Sequence, residues 1–247
     1  MAHAHRPDAL PNLPEDGASA GRPEADRDCV AVGVEAAGWL PGFTAACSIA
    51  TGEGPVAAGW LRPGDLVLTR DSGLQPVVWV GRCRVPAAVV AQRPDLLPVR
   101  IAPGALARAT PAAPLTVAPS HRVLVQGWAL DLHLGLREAL AVARDLVGRP
   151  GIARLAPDGP LDLYLVLLER HEVILADGLW VESLHPADIP AGVLSAPGAG
   201  RLRTLSEDAA ASSGHAVRPV LAASETVFVA DGAPGETPIR APVRLTA

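Results

Sequence analysis

Few side chains in this sequence are equipped for covalent or acid–base chemistry. There are three cysteines (Cys29, Cys47 and Cys83) and seven histidines. A thiol is a strong nucleophile because its thiolate is accessible near neutral pH, and an imidazole exchanges its proton in the same range. Two histidines stand in polar breaks between apolar runs. His121 lies in Ala118-Pro119-Ser120-His121-Arg122-Val123-Leu124-Val125, and His171 lies in Glu169-Arg170-His171-Glu172. Spacing limits what these groups can do together. The cysteines are odd in number with no CxxC pair, which disfavours a disulfide framework or a zinc cluster. A metal-dependent hydrolase built on His121, His171, Glu172 and His185 has no HExxH or comparable spacing behind it. An isolated cysteine ordinarily serves as a small buried hydrophobe. An isolated histidine in a polar break is ordinarily a turn residue bonded to backbone.

The scaffold that holds these groups must be made of short elements. The chain has 247 residues, 49% of them hydrophobic and only 3% aromatic, with five of the eight aromatics Trp. Its 24 Gly and 25 Pro favour many short segments joined by turns over a few long helices. Leu66–Leu68 follows Pro63-Gly64-Asp65, Val77–Val80 ends at Gly81, and Leu115–Val125 is interrupted at Pro119-Ser120-His121. Leu161–Leu168 and Val173–Leu175 flank the polar stretch around His171 and read as two strands meeting at a bend. These runs predict an all-β domain. Leu132–Val147 is ambiguous. Leu136, Leu140, Ala143 and Val147 fit a helical face, but a strand at Leu140–Val142 followed by one turn at Arg144–Val147 suits the β surroundings better.

Three segments emerge. Residues 1–38, rich in Pro, Gly and acidic residues, are expected to lack order. Residues 39–190 carry the short apolar runs. Residues 191–247 form a loop-rich extension in which Val217–Leu221 and Thr226–Val229 could each supply a strand. All 21 basic residues are Arg and they are scattered, while the net charge is -5. That leaves no electrostatic footprint for nucleic acid or an anionic membrane. No apolar run reaches the ~18 residues of a membrane helix, and Met1–Leu10 lacks the apolar stretch of a signal peptide. Free thiols and no leader suggest a cytoplasmic protein that needs no cofactor, with a protein as its conceivable partner.

Four stretches in order resemble one family. Gly42-Phe43-Thr44-Ala45-Ala46-Cys47-Ser48-Ile49-Ala50-Thr51 leads to Leu61-Arg62-Pro63-Gly64-Asp65-Leu66-Val67-Leu68-Thr69. Leu74-Gln75-Pro76-Val77-Val78-Trp79-Val80-Gly81 follows, then the block around His121. Last come Leu163-Tyr164-Leu165 and His171-Glu172-Val173-Ile174-Leu175-Ala176-Asp177-Gly178-Leu179. The set, over about 150 residues, resembles bacterial Hint domains, the self-processing fold of inteins and hedgehog C-terminal domains.

The resemblance implies a flattened β horseshoe of many short strands, and it assigns roles. The family's first residue is a Cys or Ser that attacks the preceding carbonyl, and Gly42 stands there. His121 matches the histidine that protonates the scissile amide nitrogen, with Ala118 in place of the usual Thr. His171 matches the histidine that assists later steps. Splicing members end in His-Asn, where this chain has Glu182-Ser183. The only asparagine is Asn12, so succinimide formation has no substrate residue. The expectation is a degenerate, non-splicing member that persists as a folded or interaction module. The alternative is autoproteolysis with Cys47 as a noncanonical nucleophile.

Overall fold

The computed structural model describes residues 28–30, 40–185, 189, 200, 202–204, 206–207 and 216–229. Within them the protein is a mostly antiparallel β structure of 14 strands whose sheet does not close on itself. The strands are β1 (Asp28–Val30), β2 (Phe43–Thr44), β3 (Ser48–Thr51), β4 (Gly54–Ala57) and β5 (Leu66–Thr69). They continue with β6 (Gly73–Val85), β7 (Val99–Ile101), β8 (Leu115–Val117), β9 (Arg122–Gln126) and β10 (Glu138–Val142). The last are β11 (Ile152–Arg154), β12 (Leu161–Leu168), β13 (Val173–Ala176) and β14 (Leu179–Glu182). Two short helices interrupt them, α1 (Ala87–Gln92) and α2 (Trp128–Leu134). The hydrogen-bonded order is β10-β9-β14-β13-β3-β5-β6-β12-β2-β8-β7-β11.

One long strand joins the two halves of this path. β6 has 13 residues, far more than the Val77–Val80 run suggests. Its first part, Gly73–Pro76, pairs with β5, and the stretch from Val77 to Val85 pairs with β12. Trp79 fixes its packing. A Cβ on Gly81 would stand 1.9 Å from the Trp79 ring, so the indole lies flat over a residue that can only be glycine.

The hairpin β13–β14 turns on Asp177-Gly178, both with positive φ (49° and 79°). This is the two-residue connection whose twist suits antiparallel strands. The Asp177 carbonyl accepts the Ala112 and Ala113 amides, which clamps a distant loop onto the turn.

The large core holds Phe43, Ile49, Val123, Tyr164, Ile174 and Val181. A second cluster gathers Leu40, Trp79, Cys83, Ala118 and Leu163, and a third, smaller one gathers Leu124, Leu140, Val173 and Trp180. Along β14 the faces alternate, with Leu179 and Val181 in the large core and Trp180 in the small one.

Some expectations need correcting. Asp28–Val30, inside the segment expected to lack order, pairs in parallel with Gly81–Cys83; the rest of residues 1–38 lies outside the described residues. The strand-then-turn reading of the ambiguous segment matches β10 and a 3₁₀ turn at Ala143–Leu146. Helix α2, just upstream, was not anticipated. Thr226–Val229 is not a strand, because Ala223–Phe228 forms a 3₁₀ helix. Val217–Leu221 contributes a single parallel bridge, Val220 to Leu140.

Candidate functional site

The residue before β2 enters the protein already buried. Leu40 is fully buried in the second cluster, and Pro41 and Gly42 are buried after it. The Gly42 carbonyl accepts the Ala118 amide at 2.8 Å, and the Ser120 hydroxyl donates to the Leu40 carbonyl. The Pro41–Gly42 bond is therefore held on both sides by the loop that leads into β9. A side chain at position 42 would be crowded. Its Cβ would stand 3.0 Å from the Leu163 Cβ and 3.4 Å from the Tyr164 carbonyl oxygen.

His121 ends that same loop. Its amide donates to the Ala118 carbonyl and its carbonyl accepts the Ala143 amide, so the backbone is fixed on both sides. The ring meets Phe43 edge-on at 4.6 Å, next to the Gly42 junction. It is 1% exposed, and neither ring nitrogen has a hydrogen-bond partner among the described residues. Burial is the main reason its pKa is pushed down to about 4. The Glu182 carboxylate opposes that shift, while the charges of Arg122 and His171 reinforce it. At neutral pH the ring is uncharged.

Glu182, at the end of β14, is the hub of the cluster. Its carboxylate accepts the Arg122 amide at 2.8 Å and the Arg122 guanidinium at 3.1 Å. The His171 Nε2 lies 3.5 Å from the same carboxylate. On the other side of that ring, Nδ1 accepts the Val217 amide at 3.2 Å. Its Nε2 makes no hydrogen bond among the described residues. His185 packs edge-on against His171 at 4.7 Å. His171 thus faces Glu182, whereas His121 feels its charge without bonding to it.

Glu172 and Ser183 do not enter this hub. The Ser183 hydroxyl accepts the Glu172 amide at 3.0 Å, and the Ser183 amide donates to the Glu172 carbonyl at 2.8 Å. The Glu172 carboxylate turns the other way and accepts the Ser72 hydroxyl. His171 and Glu172, just ahead of β13, thus turn to different partners.

Cys47 lies elsewhere. Its thiol is buried and hydrogen-bonded to Asp177 at the closed end of the β13–β14 hairpin. Burial, then the Asp177 charge, hold its pKa well above the ordinary thiol value, so it remains protonated. The hub is at the open end of that hairpin, five residues on, about 16 Å along a strand at ~3.3 Å per residue. Cys83 is fully buried in the second cluster, and the Cys29 side chain lies outside the described residues. Among the described residues no group of three or more His, Cys, Asp or Glu is placed to hold a metal. Nor does any helix among them have the length and apolarity to cross a membrane.

The Hint domain profile matches residues 41–188, starting one residue before Gly42 and ending just beyond the hub. The chain belongs to the Hint domain family. Likeness to solved structures is low. The bacterial intein-like domain from Clostridium thermocellum is 13% identical with a TM-score of 0.40, over 59% of this chain and 99% of that one. A DnaB intein from Synechocystis is 11% identical with a TM-score of 0.36, over 59% of this chain and 99% of that one. No curated protein matches the chain.

Within this Hint domain, Glu182 and Arg122 were missed as site residues. Arg122 did carry a signal, a charge opening the apolar run Val123-Leu124-Val125. Glu182 carried one too, its place at the family's terminal His-Asn position, but nothing in the sequence marked its carboxylate as a partner of Arg122.

Proposed function

We propose that this Hint domain no longer cuts its own backbone and serves as a folded module. One observation carries the reading: position 42, where the nucleophile would stand, is a glycine with no side chain to attack. A side chain introduced there would press on Leu163, which would have to give by a few tenths of an ångström. His121 supports the same reading, since a neutral ring is a poor proton donor to a departing amide. Ser183, where cyclisation would need an asparagine amide, has its hydroxyl engaged by the Glu172 amide. The other thiol candidate, Cys47, is protonated, bound to Asp177 and at the wrong end of the hairpin.

Intact-mass measurement tests this directly. The purified chain should stay at 25.4 kDa after incubation with dithiothreitol or hydroxylamine. The Gly42→Cys variant should also stay whole, and overpacking against Leu163 should cost it about 1–3 kcal/mol of stability. A wild-type fragment pattern that vanishes in Cys47→Ala would overturn the proposal in favour of an active domain.

A further inference from the structure

The extension returns to the sheet at one well-defined place. Strand β10 is the terminal strand of the path, bonded to β9 along one edge. Its other edge is taken by residues 217–221. The Leu140 amide donates to the Pro219 carbonyl and the Leu140 carbonyl accepts the Leu221 amide, both at 2.8 Å. Val220 forms the parallel bridge with Leu140 between them.

Side chains add selectivity to these main-chain bonds. Val217 packs on the small cluster of Leu124, Leu140, Val173 and Trp180. Arg218 reaches Asp71 and Glu138, each at 2.8 Å. Leu221 is buried in the large core. The Val217 amide is the group that caps His171. An open strand edge is a template for another chain. Main-chain pairing with flanking side-chain pockets is how peptide-binding domains hold an added strand.

We propose that the β10 edge, with Asp71 and Glu138, is a binding site for an extended peptide of pattern apolar-Arg-Pro-apolar-Leu, filled in cis by Val217–Leu221. The natural competitor is a partner segment with that pattern. Charge complementarity favours it, because Asp71 and Glu138 both reach the Arg218 guanidinium, Glu138 being shared with Arg70. Release of the cis segment uncovers Trp180 and the small cluster and removes the hydrogen bond on His171. This assignment does not depend on whether the domain cuts itself.

The test uses the full-length chain and a fluorescent peptide of residues 215–222. Wild-type protein, already filled, should bind the peptide weakly. Full-length Arg218→Glu, and the milder Arg218→Ala, should free the edge and bind the wild-type peptide about tenfold or more tightly than wild-type protein does. Adding Asp71→Ala should remove most of that gain. Peptide binding should shift the ring nitrogen resonances of His171. Two results would overturn the proposal: folded Arg218 variants that take up no more peptide than wild type, or equal binding of the wild-type peptide and one with Ala in place of Arg218. Native mass spectra dominated by dimers of the wild-type chain would also overturn the cis filling, since a second copy would then be the occupant.

Discussion

Replacing His121 by methionine should flatten the pH dependence of stability between pH 7.5 and 5. The folded ring titrates at about 4, held down mainly by burial, whereas an unfolded histidine titrates near 6.5. Between those values the unfolded chain binds a proton that the folded chain does not, so stability rises with pH. The contribution is complete above about pH 6.5, fades as the pH falls, and is exhausted below about pH 4. The whole span is worth about 3 kcal/mol at ~1.4 kcal/mol per unit, of which about 2 kcal/mol is lost between pH 7.5 and 5. For a domain of this size that is a fall of about 4–8 °C in melting temperature. His121→Met keeps most of the ring's volume and has no proton to gain. Urea unfolding followed by tryptophan fluorescence at the two pH values, for wild type and variant, reads the difference directly. Parallel profiles would mean that the folded ring is protonated near its ordinary pKa, and the assignment of a neutral, buried His121 would fail.

Other perturbations probe the neighbouring groups. Glu182→Ala leaves the Arg122 guanidinium and amide without their carboxylate and should cost about 3–5 kcal/mol in chemical denaturation; Glu182→Gln, which keeps an acceptor, should cost less. Gly81→Ala forces the Trp79 ring from its place and should yield little folded protein, and Gly81→Ala with Trp79→Leu should recover it, as seen by circular dichroism. Cys47 in the folded chain at pH 8 should react with iodoacetamide at least about a hundredfold more slowly than in urea, as peptide mapping would show. Equal rates would refute its burial and protonation.

Local pattern carried most of the fold. Apolar runs between Gly, Pro and polar breaks marked β5, β12 and β13. What local pattern does not encode is how far an element extends once it has partners. Val77–Val80 looked like a short strand because its ends, Gly73–Pro76 and Arg82–Arg84, are weak strand formers that neighbours recruit. Helix α2 escaped because Trp128 and Leu132 place large apolar groups on its exposed side, which blurs the usual amphipathic stripe. In the site, Gly42, His121 and His171 were legible from block order. Their partners were not. Glu182 reaches Arg122 across 60 residues, and Ser48 and Cys47 find Asp177 about 130 residues away. Contacts of that span leave no trace in spacing. The same holds for Arg218, whose carboxylates come from β10 and the loop after β5.

Strand β2 sets a timetable for synthesis. Its two residues are sandwiched between β8 and β12, with Phe43 opposite Tyr164. On a ribosome that adds about 5–20 residues per second, Phe43 emerges roughly 6–24 s before its β12 partner exists. During that interval Phe43 has at most its β8 neighbour, and Leu40 lacks the Leu163 side of its cluster. A stall or rare-codon cluster between the codons for β8 and β12 would lengthen this window and send more chains to chaperones or aggregates, with no change to the finished protein.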